Sequence, residues 1–525
     1  MAGLLTALCL ALPTANATGD AWYYAACARW GQELWQPHHL LYNGIGWAWL
    51  RLVGVSGAAG PLALVWLQML NALAAGASLL ALGRLLCRAG APLAAVPGWL
   101  LLAGSCFGML RFATENETYI QPLLFSLLAS LAWARALVAE AEASRRRWLL
   151  LAGLLAALAC LVHQLMVWWW LGLLLGLRPW RSRPALRGGL SYVLPVLLVP
   201  LAYGLAAPGG GVASVVRFAL YEYLTGGARV ELGGKSLLFT VISLARTLGQ
   251  VHGNMLPLLR RWPLELSGVA LASLGLGLYG GLGAIWAVRA THTSPNQGGA
   301  SAPARTVRHT HALIGGLHLA FAVQATGNAE FMVMLPALAA VVLAGGPLRA
   351  WPPRRVAAVG LALLSWNLAF GLLPAHLLDY TGTGRALRAR VLGQPGAWFV
   401  LREPNVLRNQ LHYYTGRPAA APRIVGLPGQ DSTSFRHWLA GRLAAGDTVY
   451  TDALGGAPPF GRAQLAQGDL AARLLTGVPA RRVDSLATFF GPRYLSRLGT
   501  PAAPIAPRSQ LMPSASATTK AGASK

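Results

Sequence analysis

Residues 61–86 read PLALVWLQMLNALAAGASLLALGRLL, and Arg84 is the single charged side chain among them. A helix of this sequence is apolar on every face, and it exceeds the roughly 20 residues that cross the hydrocarbon core of a bilayer. Runs of the same kind, bounded by charges or Pro, follow at Ala91 to Leu110, Tyr119 to Val138, Trp148 to Val162, Leu165 to Leu177, Leu190 to Ala206, Leu264 to Val288, Ala312 to Ala325, Phe331 to Ala344 and Val356 to Leu373. With an apolar segment at the N-terminus they predict an all-α polytopic membrane protein of about 11 spans. The two runs flanking His163 are short, which predicts a broken or re-entrant element there.

Composition points the same way. Of 525 residues, 55% are hydrophobic and 11% charged, too apolar a balance for a soluble globular chain. Lys and Arg outnumber Asp and Glu by 43 to 17, and the resulting +26 on a soluble domain would suggest nucleic acid. Here, however, Arg gathers in short loops between apolar runs: Arg84/Arg88, Arg145-Arg146-Arg147, Arg178/Arg181/Arg183/Arg187, Arg289/Arg305/Arg308 and Arg349/Arg354/Arg355. Placing Asp20 outside puts all of these clusters inside, as the positive-inside rule requires. The expectation is an N-in, C-out protein of a bacterial inner membrane, with no nucleic-acid partner. The cysteines show neither metal-ligand nor disulfide spacing. Leu4 to Leu12 followed by Ala15-Asn16-Ala17 fits either a signal peptide without a basic start or a clipped first span, and both place Asp20 outside.

This topology defines a transmembrane domain over 1–375 with outer loops at 20–60, 111–118 and 208–262. The first loop carries Trp22, Tyr23, Trp30, Trp35, Tyr42, Trp47 and Trp49, and reads as amphipathic helices lying in the headgroup zone. From His376 the character changes: Trp398 to Leu401 predicts a strand, Val406 to Tyr414 a helix and Thr448 to Tyr450 another strand. Residues 376–498 therefore read as a small periplasmic α/β domain. Residues 499–525, rich in Pro, Ala, Ser and Thr, read as a disordered tail, and Ser294 to Ala304 as a flexible cytoplasmic linker.

Charged groups are costly near a bilayer, so the few acids are informative. Asp20, Glu33, Glu115, Glu117, Glu222, Glu231, Glu265 and Glu330 map to the outer side. Glu33, Glu222, Glu231 and Glu265 read as what remains when Arg is drawn inward. Asp20 and the pair Glu115/Glu117 stand where helices meet the outer surface. A carboxylate there can serve as a general base, and Arg111, His38, His39 and His163 offer positive charge or donors near the same surface. His38 and His39 read equally well as interfacial histidines bonded to backbone, His163 as a partly buried cavity residue, and Asn328 as a helix N-cap just ahead of Glu330.

Three segments, Thr18-Gly19-Asp20-Ala21-Trp22-Tyr23-Tyr24, Pro37-His38-His39-Leu40-Leu41-Tyr42 and Glu115-Asn116-Glu117-Thr118-Tyr119, resemble the GT-C superfamily of integral-membrane glycosyltransferases over roughly residues 1–375. The resemblance implies transfer of a sugar from a polyprenyl-phosphate carrier to a glycan, lipid or protein acceptor outside the membrane. It implies Asp20 as the catalytic base and Glu115 or Glu117 at the second acidic position. Substrate contacts are expected from His38, His39, Tyr42, Arg111, Tyr119, His163, Asn328 and Glu330, while His252 and Asn254 fall in the loop that shapes the carrier entrance in such folds. No organic cofactor is implied. A divalent metal shared by Asp20 and Glu117 is compatible with their chemistry, although many such enzymes work without one. The chain departs from the pattern in its clipped first span, in the lack of an acidic pair in the first loop and in its unmatched terminal domain. A transporter or flippase of a lipid-linked saccharide and an envelope scaffold are the competing readings; acids at the outer rim and the lack of an internal repeat favour transfer.

Overall fold

The computed structural model describes residues 1–57, 60–178, 182–225, 233–250, 264–293, 301–379, 384–402, 404–418, 423–427, 430–455, 473–488 and 491–499. Each apolar run named above is helical over most of its length. Among the described residues, five helices are long and apolar enough to cross a membrane: Ala63–Arg88, Ile120–Leu137, Ala185–Ala206, Leu271–Ala290 and Pro353–Leu377. Leu93–Gly104 and Phe107–Ala113 together make a sixth, bent by 71°. Ala2–Ala11, Gln164–Leu177 and Ala329–Ala344 are apolar but shorter, so five or six described elements are both long and apolar enough to span where about eleven runs were read.

Two breaks shape the end of the bundle that carries Asp20. At His163 the backbone leaves the helical region (φ −154°, ψ 120°) and ends the Glu142–Val162 helix. His163 Nδ1 accepts from Leu165 N at 3.1 Å and starts a short 3₁₀ turn, so the interruption expected there is built on a side-chain cap. The 71° bend at Ser105–Cys106 was not expected, because no proline marks it. Elsewhere small residues let helices approach closely. A Cβ on Gly172 or Gly176 would lie 2.3 Å from Ile314 or 2.4 Å from Thr310, which seats Val167–Leu177 against Ala302–Gln324.

The C-terminal part is a five-stranded sheet in the order β2-β1-β3-β5-β4, with β1 Trp398–Leu401, β2 Ile424–Gly426, β3 Val449–Thr451, β4 Ala480–Thr488 and β5 Gly491–Leu498. The first three strands are parallel, and β5 runs antiparallel to β3 and to β4. Alternation along β1 sorts the core. Phe399 and Leu401 pack with Leu407 and Leu411 of the Pro404–Thr415 helix, while Val400 packs with Phe435, Leu439 and Leu443 of the Ser432–Ala444 helix. Helices therefore cover both faces, as parallel strands require.

The segment read as the first outer loop packs in large part against protein. Its Gly19–Trp30 helix packs along Pro404–Thr415 of the terminal domain: the Trp22 ring centroid is 5.1 Å from that of Tyr413, and Trp30 Nε1 donates to the Tyr413 carbonyl at 2.9 Å. Trp49 Nε1 donates to the Trp66 carbonyl at 2.9 Å, Tyr42 is buried, and of those loop aromatics Trp35 alone is exposed. Trp and Tyr suit any boundary between an apolar body and a polar partner, and here the partner is protein. Residues 294–300 of the expected linker, the tail from Thr500, His252 and Asn254 lie outside the described residues; Ser301 already caps the next helix.

Candidate active site

The start of the Gly19–Trp30 helix is held from below by one tripeptide. Thr18 is the N-cap, its Oγ1 accepting from Ala21 N at 3.0 Å. The same hydroxyl donates to Glu117 Oε1 at 2.5 Å, and Thr18 N donates to Glu115 Oε1 at 3.0 Å. Between them Asn116 Nδ2 donates to the Ala21 carbonyl at 2.9 Å, with its own Oδ1 accepting from Tyr42 OH at 2.8 Å. Asn71, on the Ala63–Arg88 span, fixes the tripeptide in turn by donating to the carbonyls of Glu115 and Glu117 at 2.8 and 2.7 Å. From the terminal domain, Asn409 Nδ2 donates to the Gly19 carbonyl at 2.8 Å. Residues 18–21 are thus clamped on two sides.

Asp20 stands within this clamp and takes no part in it. It is exposed, and among the described residues it makes no hydrogen bond. Its carboxyl is nonetheless held above the ordinary aspartate range, first by the protein that walls it and then by the charges of Glu330 and Glu222. Glu115 and Glu117 are 3% and 5% exposed and turn inward to Thr18. Burial, reinforced by the neighbouring Glu115 and Glu330, raises Glu117 well above the usual carboxylate range. Burial likewise raises Glu115, against the pull of Arg111 and the Thr18 N–H. These two acids hold the helix that presents Asp20; they do not share its exposure.

Cations meet on the other flank. Arg111 Nε lies 3.4 Å from Glu115 Oε2, and its guanidinium lies over the Phe112 ring. Arg246, on the Gly234–Leu248 helix, is exposed, and its pKa is lowered by burial and by the charge of Arg111. The two helices meet where Gly108 faces Thr247, with a Cβ on the glycine only 3.1 Å from the Thr247 methyl. Sequence reasoning passed over Arg246. The available signal was an arginine within the 208–262 segment read as an outer loop, where the positive-inside rule leads one to expect few.

The remaining expected residues fall in two groups. His38 Nε2 pairs with Glu222 Oε1 at 3.3 Å, and burial lowers the His38 pKa against that pairing. The His39 ring lies 4.5 Å from that of His163, and burial pushes His39 well below the ordinary histidine range. Tyr119 OH donates to Glu330 Oε2 at 2.9 Å, joining the late outer loop to the tripeptide segment, and its ring lies 5.1 Å from His163. Asn328 Oδ1 accepts from Glu330 N at 3.1 Å, which is the capping role. Tyr42 is buried and bonded to Asn116, so it acts through the clamp. Among the described residues no three His, Cys, Asp or Glu side chains come together as metal ligands, and Glu117, the expected co-ligand of Asp20, is engaged by Thr18.

No protein-family model matches the chain, and no curated protein matches it in sequence. Among solved structures it is similar to ArnT from Cupriavidus metallidurans in the apo state, at 13% identity over 94% of this chain and 96% of that one, with a TM-score of 0.39. The crystal structure of the same enzyme bound to undecaprenyl phosphate gives 14% identity, the same coverage and a TM-score of 0.39. The oligosaccharyltransferase of Archaeoglobus fulgidus in its apo form gives 13% identity over 86% of this chain and 69% of that one, with a TM-score of 0.48. With every TM-score below 0.5, these likenesses carry no argument about chemistry, which rests on the residues above.

Proposed function

We propose that the chain is a GT-C-type membrane glycosyltransferase that moves a sugar from a polyprenyl-phosphate carrier to an acceptor hydroxyl on the non-cytoplasmic face, with Asp20 as general base. The observation that carries this reading is the contrast within residues 18–21: every neighbour of Asp20 is pinned, and its own carboxylate is left free and accessible. Preorganisation of that kind serves a group that must meet a substrate atom. In the step, the acceptor O–H gives its proton to Asp20, the oxygen bonds to the anomeric carbon, and the bond from that carbon to the carrier phosphate breaks. Polyprenyl phosphate leaves as an anion, and Arg246, close enough to Arg111 for mutual repulsion, supplies the positive charge to receive it.

Reconstitution with a carrier bearing a radiolabelled sugar separates transfer from transport. Transfer yields unlabelled polyprenyl phosphate and a labelled acceptor, whereas a flippase moves the labelled carrier across the bilayer intact. The second result would remove the enzyme reading. In the same assay Arg246→Gln raises the KM for carrier about tenfold, the worth of one charge-assisted hydrogen bond.

The surroundings of Asp20 also fix a pH dependence. A base works only when deprotonated, so a raised carboxyl pKa moves the acid limb of kcat/KM above the ordinary aspartate range. Glu330→Gln removes the larger of the two contributing charges and keeps an acceptor for Tyr119 OH. The acid limb then moves to lower pH; an unmoved limb means that the titrating base is not Asp20.

A further inference from the structure

The terminal domain carries a second cluster of charge that the transfer reading does not use. Arg402 follows β1 and Asp452 follows β3, so both stand at the carboxyl ends of adjacent parallel strands. Arg493 enters from β5, which runs antiparallel to β3 and brings its early residues to the same edge. Arg402 N donates to Asp452 Oδ1 at 2.9 Å, an Arg402 terminal nitrogen donates to the Ala453 carbonyl at 2.6 Å, and Arg493 donates to Asp452 Oδ2. The three residues are 8%, 2% and 5% exposed, in the order Arg402, Asp452, Arg493. The carboxylate pairs with the guanidinium of Arg493, whereas that of Arg402 meets a backbone carbonyl; among the described residues Nε of each arginine has no hydrogen-bond partner.

Such an arrangement is expensive by itself. A single carboxylate offsets one of the two buried cations, and a buried cation with neither a counter-charge nor a full set of acceptors is destabilising. The sheet topology names what relieves the cost. From β1 the chain crosses to β2 on one side, and from β2 it crosses back to β3 on the other, so β1 and β3 flank the point where the strand order reverses. In open α/β sheets that crevice, outside the carboxyl ends of the strands, is where ligands bind. The Pro404–Thr415 helix begins two residues after Arg402 and turns its positive end to the same edge.

We propose that Arg402 and Arg493 form an oxyanion site at the carboxyl edge of β1 and β3, which takes a phosphate-sized group. Its position gives it a role. The helix that starts two residues after Arg402 places Asn405 against Gly19, with a glycine Cβ only 3.6 Å from that of Asn405, so the element leading from the site touches the residue preceding Asp20. Resting on the transferase reading, the oxyanion belongs to the acceptor, whose phosphorylated end is anchored in the terminal domain while its hydroxyl reaches Asp20.

The test is equilibrium dialysis of the detergent-purified full chain against radiolabelled inorganic phosphate. The expected result is saturable binding that Arg246→Gln leaves in place and that Arg402→Gln or Arg493→Gln weakens about tenfold or more. Because loss of either buried arginine can unfold the domain, Asp452→Asn is the second arm. It keeps the side-chain shape, removes the competing negative charge and tightens phosphate binding about tenfold. Wild-type chain without a saturable phosphate site, or an Asp452→Asn chain that binds phosphate more weakly, overturns the proposal. Repeating the measurement in nanodiscs with and without phosphatidylglycerol separates the two sources of phosphate. Binding indifferent to the lipid supports an acceptor group, and binding abolished by it assigns the site to headgroups and overturns the acceptor role. None of these readouts requires sugar transfer, so failure here and failure of the transferase reading are told apart.

Discussion

Asp20→Asn lowers kcat for sugar transfer by about 10²–10⁴-fold and leaves the KM for carrier within about twofold. The size follows from the role, since a positioned general base acts in the transition state and an amide cannot take a proton. The unchanged KM follows from the geometry. Asp20 holds no other residue in place, and the clamp formed by Glu115, Asn116, Glu117 and Asn409 survives the substitution. Steady-state kinetics in proteoliposomes, with expression compared on the same membranes, measures both quantities. A variant that loses activity by failing to insert would show less protein in the membrane fraction at unchanged kcat.

The second large effect is expected far from the carboxylate. Tyr413→Ala costs about 3–5 kcal/mol of docking between the terminal domain and the outer loop, the range for truncating a buried aromatic ring. Tyr413 is buried, its hydroxyl donates to the Pro61 carbonyl at 3.0 Å and accepts from Leu64 N at 3.1 Å, and its carbonyl accepts from Arg29 and Trp30 at 3.1 and 2.9 Å. Arg29 also lies over its ring, at 4.8 Å from the centroid. Without this anchor Asn409 no longer holds the Gly19 carbonyl, and the helix carrying Asp20 loosens on one side. Hydrogen exchange over residues 19–30 therefore rises sharply, and kcat falls with it. Protection of residues 19–30 equal to wild type would show that the terminal domain does not position the site.

The apolar helices were legible because a bilayer punishes charge, so the few acids and the Arg clusters mark where helices end, whereas the number that cross was not, since only five or six described elements are both long and apolar enough. Legibility failed where the same residue type serves two environments. Trp22, Trp30 and Tyr42 read as headgroup anchors, yet they are packed against Tyr413 or bonded to Asn116, because an interface with another domain asks for the same amphipathic rings. The 71° bend after Gly104 had no proline to announce it. Asp20 stood out by its place at the head of a helix. The division of labour between Asp20 and the Glu115/Glu117 pair did not, since three carboxylates near one surface look alike until their hydrogen bonds are known. The sheet edge was hidden for a different reason. Arg402, Asp452 and Arg493 are dispersed along the chain, and it takes the parallel pairing of β1 with β3 and the antiparallel pairing of β5 with β3 to bring them together.

The central claim is that the accessible, unpaired carboxylate of Asp20 takes the acceptor's proton. The pH dependence of kcat/KM for labelled-sugar transfer, taken for the native chain and for Asp20→Asn in the same proteoliposomes, tests it most directly. The account predicts a native acid limb of unit slope, displaced above the ordinary aspartate range, and a small residual rate in the variant that is flat across that interval. A variant whose rate still rises along the native acid limb would contradict it, because the proton would then be passing to another group.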